Sequence, residues 1–183
     1  MSVHLGILQT DSVLEDLQPR FGDYPQMFEG LFREQDPGMT FTTYNVQHAL
    51  PDNLECDAYL ITGCKLSVYD DLPWIRELAR FVRQAIEAKK KILGICFGHQ
   101  LIAHFFGGEA GPASAGWGVG VQTSDLVMTH GWMGDVNQIP SQLHLVASHK
   151  DQVLKLPEGA EVFASSDFCP VSGFTLGDEV LTI

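Results

Sequence analysis

A cysteine with one glycine two residues before it and another two after, Gly94-Ile95-Cys96-Phe97-Gly98, stands between an apolar run and a helical pattern. This is the thiol form of the nucleophile elbow, the sharp strand-to-helix turn whose serine form reads G-x-S-x-G. Glycines suit such a turn because a Cβ on either side would meet neighbouring backbone. The thiol would then project at the carboxyl edge of a sheet, where α/β folds bind ligands. At a helix N-terminus, unpaired N–H groups and the helix dipole favour a thiolate, which predicts a pKa drawn below the ordinary ~8.5. The same N–H groups can stabilise the oxyanion formed when sulfur attacks a carbonyl. Most free cysteines instead pack as small hydrophobes, and that reading suits Cys56, Cys64 and Cys169, which lack the paired glycines.

The elements needed to present Cys96 follow from the hydrophobic pattern. Residues 4–10 are a short apolar run into a loop, and residues 24–34 place Met27, Phe28, Leu31 and Phe32 at helical spacing before Asp36-Pro37-Gly38. Residues 40–46 and 58–62 read as strands. Pro73 opens a long helix with Trp74, Ile75, Leu78, Phe81, Val82, Ala85 and Ile86 on one face, and Lys89-Lys90-Lys91 is expected to close it. Residues 92–96 form a nearly all-apolar strand and residues 98–106 a helix ending at Gly107-Gly108. Alternation of this kind predicts an α/β class with a doubly wound, mostly parallel sheet and helices on both faces. Beyond residue 108, residues 118–121, 142–147, 160–164, 173–176 and 179–183 read as short strands, expected as antiparallel additions and a return to the main sheet.

Composition narrows the functions available. Of 183 residues, 45% are hydrophobic and 19% charged, which excludes wholesale disorder. Eleven Lys+Arg against 23 Asp+Glu leave a net charge of −12, which argues against nucleic acid or an anionic membrane as partner. No stretch reaches the ~20 apolar residues of a membrane span, and the first residues lack the basic start of a signal peptide. The four cysteines form no CxxC pair, so neither a zinc site nor a disulfide framework is expected, and a reducing cytoplasm fits. Gly116-Trp117-Gly118-Val119-Gly120 opens no helix and no phosphate loop is present, so no cofactor is expected.

Three segments in order carry a family resemblance. Gly94-Ile95-Cys96-Phe97-Gly98-His99-Gln100-Leu101-Ile102-Ala103 followed by Gly107-Gly108 resembles the nucleophile motif of the class I glutamine amidotransferases. The run from Leu60 through Gly63-Cys64-Lys65 to Asp70 resembles their oxyanion strand and loop, and Ser148-His149-Lys150-Asp151-Gln152-Val153 with Leu156-Pro157-Glu158-Gly159 resembles a later glutamine-side segment. Phe21-Gly22-Asp23-Tyr24 and Gly116 to Gly120 are most similar to stand-alone members akin to the amidotransferase part of GMP synthase, some of which act on γ-glutamyl compounds. The resemblance implies a flavodoxin-like domain over residues 1–183 in which Cys96 forms a γ-glutamyl thioester from glutamine or a γ-glutamyl compound, releasing glutamate and ammonia. It also implies an oxyanion between the backbone N–H groups of Cys64 and Phe97, structural roles for Gly63, Gly94 and Gly98, and substrate contacts from Gln100, Ser148 and His149. The family commonly has glycine at position 64, so a positive φ there would strain the cysteine. Gln100 also reads as a solvated helix residue, and His149 as a turn histidine without contacts.

A thioester cycle needs a general base and acid. The resemblance implies that a His-Pro-Glu just after the last strand supplies them, and no such tripeptide occurs in the sequence. The expectation is a domain lacking its C-terminal segment, with weak or no turnover from these residues alone; His149 is the only candidate stand-in, and His99 should point away from the sulfur. An ammonia-accepting synthetase, where one is used, would be a separate chain. Two alternatives remain: a catalytically incomplete binding or regulatory module of the same fold, and a redox-responsive or glyoxalase-like protein with cysteine at the same elbow. The second usually follows the cysteine directly with histidine, where Phe97 stands here.

Overall fold

The position of the thiol is set by the order in which strands and helices alternate. A computed structural model describes residues 2–135 and 137–183. The first half contains β1 (His4–Gln9), α1 (Gln18–Phe21), α2 (Tyr24–Gln35), β2 (Thr40–Asn45), β3 (Ala58–Ile61), α3 (Pro73–Glu87), β4 (Lys91–Gly94) and α4 (Phe97–Phe105). The second half contains β5 (Glu109–Pro112), β6 (Gly118–Leu126), β7 (Gln142–His149), β8 (Asp151–Lys155), β9 (Ala160–Ser165), β10 (Gly173–Leu176) and β11 (Val180–Thr182). Nine strands form the main sheet in the order β2-β1-β3-β4-β11-β10-β9-β6-β7, and β5 pairs with β8 apart from it. From β2 to β11 the pairs are parallel, and from β11 onward antiparallel. The doubly wound α/β architecture is therefore present, with a parallel core, antiparallel later strands, and β11 returned to the side of β4.

Strand alternation divides the core between two faces. Leu8, Tyr59 and Ile61 join the buried stripe of α3 and the apolar residues of α4, while Leu5, Ile7 and Leu60 meet Phe28 and Phe32 of α2 on the other face. On α3 the predicted stripe is buried at Ile75, Leu78, Phe81, Val82 and Ala85, worth roughly 1.5–3 kcal/mol for each large side chain. On α2 it is narrower than expected, because Met27 and Leu31 are exposed. Alongside α2, the second face carries an apolar groove of about 870 Å³ whose lining includes Leu5, Phe32, Met39, Leu93, Trp132 and Leu181. Among the described residues no helix is long and apolar enough to cross a membrane.

Two helix ends are built differently from what composition suggests. The end of α3 is closed by backbone geometry rather than lysine charge. Lys89 takes a left-handed φ of 61°, its N–H reaches the Ile86 carbonyl, and Lys90 N–H reaches Ala85, both at 2.9 Å. Lys91 already belongs to β4. At the start of α2, Asp23 caps the helix and also accepts the Val13 N–H at 2.8 Å, which ties the loop after β1 to the helix.

The helix after the elbow is anchored by a buried histidine. His99 donates from Nε2 to the Val171 carbonyl at 3.1 Å, and its Nδ1 meets the Thr182 hydroxyl at 2.8 Å. It packs on Phe174 and points away from Cys96, as expected. Burial holds its pKa down to about 4, against ~6.5 in an unfolded chain. Above pH 6.5 both states are neutral there; as pH falls toward 4 only the unfolded chain takes up the proton, so stability drops. Thermal unfolding is expected to show a Tm that declines from pH 7 to pH 4.5, with a shallower decline in His99→Gln whatever that variant's Tm at neutral pH.

Candidate active site

Cys96 occupies the junction of β4 and α4 in a backbone conformation that a cysteine does not choose freely, with φ 51° and ψ −97°. Such a conformation costs on the order of 1–3 kcal/mol and persists only when its surroundings enforce it. Here they do so from both neighbouring strands. Ile95 N–H is held by the Ile61 carbonyl at 3.0 Å, Cys96 N–H by the Ile183 carbonyl at 2.8 Å, and Ile183 N–H returns to Gly94 at 2.9 Å. The glycines make the bend possible. A Cβ on Gly94 would lie 2.8 Å from the Gly98 backbone, and one on Gly98 would lie 2.8 Å from Ile61 Cβ and 2.9 Å from its carbonyl oxygen. Cys96 as a residue is part-exposed.

Gly63 has a different role. A Cβ there would stand 3.6 Å from Cys96 Cβ and 3.9 Å from its sulfur, ordinary contacts that the fold would tolerate. It would take up space directly beside the sulfur. Cys64 follows without a positive φ, so the strain anticipated from a non-glycine residue is absent. Its side chain turns toward β1, with Sγ 3.5 Å from the Thr10 carbonyl, and it accepts the Leu66 N–H at 3.5 Å. The Cys64 N–H has no acceptor among the described residues. The Phe97 N–H opens the first turn of α4 and lies against the Cys96 sulfur, while the next N–H, that of Gly98, is held by the Ile95 carbonyl at 2.9 Å.

Electrostatics at the sulfur run opposite to the sequence expectation. Burial pushes the Cys96 thiol above its ordinary pKa, the Phe97 N–H draws it partly back, and the Asp151 carboxylate adds to the rise. Desolvation of a charged form outweighs one helix N-terminus when no cation stands nearby. Burial likewise pushes Cys64 up to about 11, and raises Tyr24, which also feels Asp11 and Cys96. Free of substrate and of a base, Cys96 rests as the thiol.

The expected substrate residues are placed unevenly. Gln100 is buried, not solvated, and its Nε2 donates to the Asp151 carbonyl at 2.8 Å. His149 donates from Nδ1 to the same carbonyl at 3.0 Å and stands edge-on to Phe168, so it is not a contactless turn histidine. Ser148 lies exposed on β7 opposite Val119. The residue joining these groups, Asp151, has no candidate role in the sequence reading, although it lies two positions beyond His149. It is 6% exposed, and its carboxylate accepts the Ser67 hydroxyl at 2.5 Å and the Tyr69 hydroxyl at 3.1 Å. Asp11 is likewise unmarked by any motif: it accepts the Lys65 N–H at 3.1 Å and pairs with Lys65 Nζ at 3.3 Å. No cluster of three or more metal-ligating side chains occurs among the described residues.

A part-exposed cysteine at a strained strand-to-helix turn, with backbone donors beside it, is the arrangement a thiol nucleophile would need on an α/β sheet. The profile described as Glutamine amidotransferase class-I matches residues 32–179, and the chain belongs to this family as an amidotransferase-like hydrolase. It is 34% identical over 177 residues to Gamma-glutamyl peptidase 3 of Arabidopsis thaliana, covering 92% of this chain and 70% of that protein. It is 40% identical over 103 residues to a glutamine-hydrolyzing GMP synthase subunit of Methanocaldococcus jannaschii, covering 54% of this chain and 50% of that one. A crystal structure of a glutamine amidotransferase from Thermotoga maritima superposes with a TM-score of 0.81 at 19% identity, over all of this chain and 75% of that one, and so shares its fold.

The glycines separate fold from access. Gly98→Ala is expected to lose about 1–3 kcal/mol of stability through overpacking against Ile61. Gly63→Ala should unfold within about 1 kcal/mol of the parent while its Cys96 reacts more slowly with a carbonyl electrophile. Urea denaturation and thiol labelling followed by mass spectrometry check the pair.

Proposed function

We propose that the protein cleaves the γ-amide of glutamine or of a γ-glutamyl compound through a γ-glutamyl thioester on Cys96. The observation that carries this reading is the strained, part-exposed Cys96 with the Phe97 N–H against its sulfur and the unpaired Cys64 N–H on the adjoining loop. Sulfur attacks the γ-carbonyl carbon, a C–S bond forms, and the carbonyl oxygen becomes an oxyanion within reach of these two donors. Collapse breaks the C–N bond, and the amine or ammonia leaves with a proton. Water then cleaves the thioester, giving glutamate and the free thiol. Because substrate binding displaces water and brings in the carbonyl, the raised thiol pKa of the empty site must be overcome by a base in the complex.

Of the rings near the elbow, His99 does not supply that base, and His149 has only Nε2 left to offer. His99 is committed to Val171 and Thr182, and His149 Nδ1 to Asp151. The resemblance puts the base just past the last strand, and Ile183 lies directly beside the nucleophile through its hydrogen bond from Cys96 N–H. A histidine entering there would reach the sulfur from the β11 side. Capture of a reactive glutamine analogue tests the nucleophile separately from the base, because that step asks only for the sulfur and the oxyanion donors. A reducing cytoplasm suits four free cysteines. The γ-glutamyl peptidases among its relatives favour a γ-glutamyl peptide as substrate; the GMP synthase subunits favour glutamine, with a separate synthetase chain accepting the ammonia.

A second reading, a binding or regulatory module of the same fold, is favoured by the commitment of both His99 nitrogens to Thr182 and Val171. The two are separated by treating the chain with 6-diazo-5-oxo-L-norleucine, a diazoketone analogue of glutamine. Its adduct is expected on Cys96, absent from Cys96→Ser, and slowed by whichever of glutamine or a γ-glutamyl dipeptide is the better substrate. A rise in Tm with glutamine and no adduct would establish the binding module instead.

A further inference from the structure

The loop that follows β3 carries the Cys64 N–H and must hold it still while charge develops on the substrate oxygen. Nothing in the loop's own sequence fixes it rigidly: residues 64–72 contain no regular element beyond the short turn in which Ser67 N–H is held by the Asp70 carboxylate at 3.0 Å and Asp70 N–H by the Ser67 carbonyl at 3.0 Å. Val68 anchors the loop in the core and Cys64 Sγ meets the Thr10 carbonyl, and two carboxylates grip it from either side. On the β1 side Asp11 takes Lys65 through both its N–H and its ammonium. On the other side the buried Asp151, at the first residue of β8, takes the hydroxyls of Ser67 and Tyr69. The same residue presents its backbone carbonyl to Gln100 of α4 and to His149. One residue therefore fastens the oxyanion loop, the nucleophile's helix and the end of β7 together.

We propose that Asp151 is a positioning residue for acylation, its carboxylate setting the oxyanion loop through Ser67 and Tyr69 while its carbonyl fixes Gln100 and His149. This inference rests on the thioester reading given above. A carboxylate near the sulfur is a poor choice for reactivity alone, because its charge opposes formation of the thiolate. Charge-assisted hydrogen bonds from two hydroxyls are roughly twice as strong as neutral ones and fix direction as well as distance. A misplacement of about 1 Å in such a site can cost ~10²-fold in rate. The consequence is a pair of opposed effects. Removing the charge should ease attack by the sulfur on a small electrophile that needs no oxyanion donor, yet impair attack on a γ-carbonyl that does.

The test compares two reagents on Cys96 of the same chain: iodoacetamide, and 6-diazo-5-oxo-L-norleucine, whose ketone oxygen must enter the oxyanion position as sulfur bonds to carbon and dinitrogen departs. In Asp151→Asn the maximal inactivation rate by the diazoketone is expected to fall about tenfold or more with its half-saturating concentration within about threefold, while iodoacetamide reacts as fast as with the parent or faster. Should Asp151→Asn not fold, the double variant Ser67→Ala/Tyr69→Phe, which removes only the two hydroxyls, is expected to show the same fall with iodoacetamide unchanged. Diazoketone rates equal to the parent, or both reagents slowed in proportion, would overturn the positioning role. A parent chain that forms no diazoketone adduct on Cys96, yet reacts with iodoacetamide, would overturn the thioester reading and the inference with it.

Discussion

The site depends on one enforced backbone conformation. Cys96 sits at φ 51° because the strands on either side of β4 hold the flanking peptide groups, β3 through Ile61 and the end of β11 through Ile183. The parallel registers of β3 and β11 against β4 bring those carbonyls level with the turn. Gly94 and Gly98 then allow the backbone to fold back upon itself where any side chain would collide. The strain persists because the whole parallel core over-determines it.

Around that turn the molecule balances exposure against desolvation. Cys96 keeps part of its surface exposed, yet burial around the sulfur stabilises its thiol over the thiolate. In such a setting the preorganised N–H donors gain strength from the same low dielectric that holds the thiol neutral. A raised thiol pKa lowers the thiolate fraction at neutral pH, and with it the rate of alkylation or oxidation.

Much of this is legible in the sequence because it is local. Two glycines spaced around a cysteine announce the elbow, Pro73 and a 3.6-residue stripe announce α3, and apolar runs announce β1, β3 and β4. What escapes is set by contacts distant along the chain. Asp151 meets Ser67 and Tyr69 across more than 80 residues, and no spacing rule connects them. The thiol pKa departs from expectation because the helix N-terminus is visible in the pattern while burial by neighbouring elements is not. Gln100 reads as either solvated or substrate-facing; its burial excludes the first, and its bond to the Asp151 carbonyl is one that no spacing announces. Strands β5 and β8 pair only with each other, outside the main sheet, and their short segments give too weak an alternation to announce themselves.

The most direct measurement is the intact mass and peptide map of the chain after acid quenching of its reaction with a γ-glutamyl p-nitroanilide, whose good leaving group needs little help from a general acid. The account predicts one γ-glutamyl group, located on Cys96 and released by hydroxylamine as a thioester should be. An unmodified chain, or an acyl group found on Cys56, Cys64 or Cys169 instead, would contradict it.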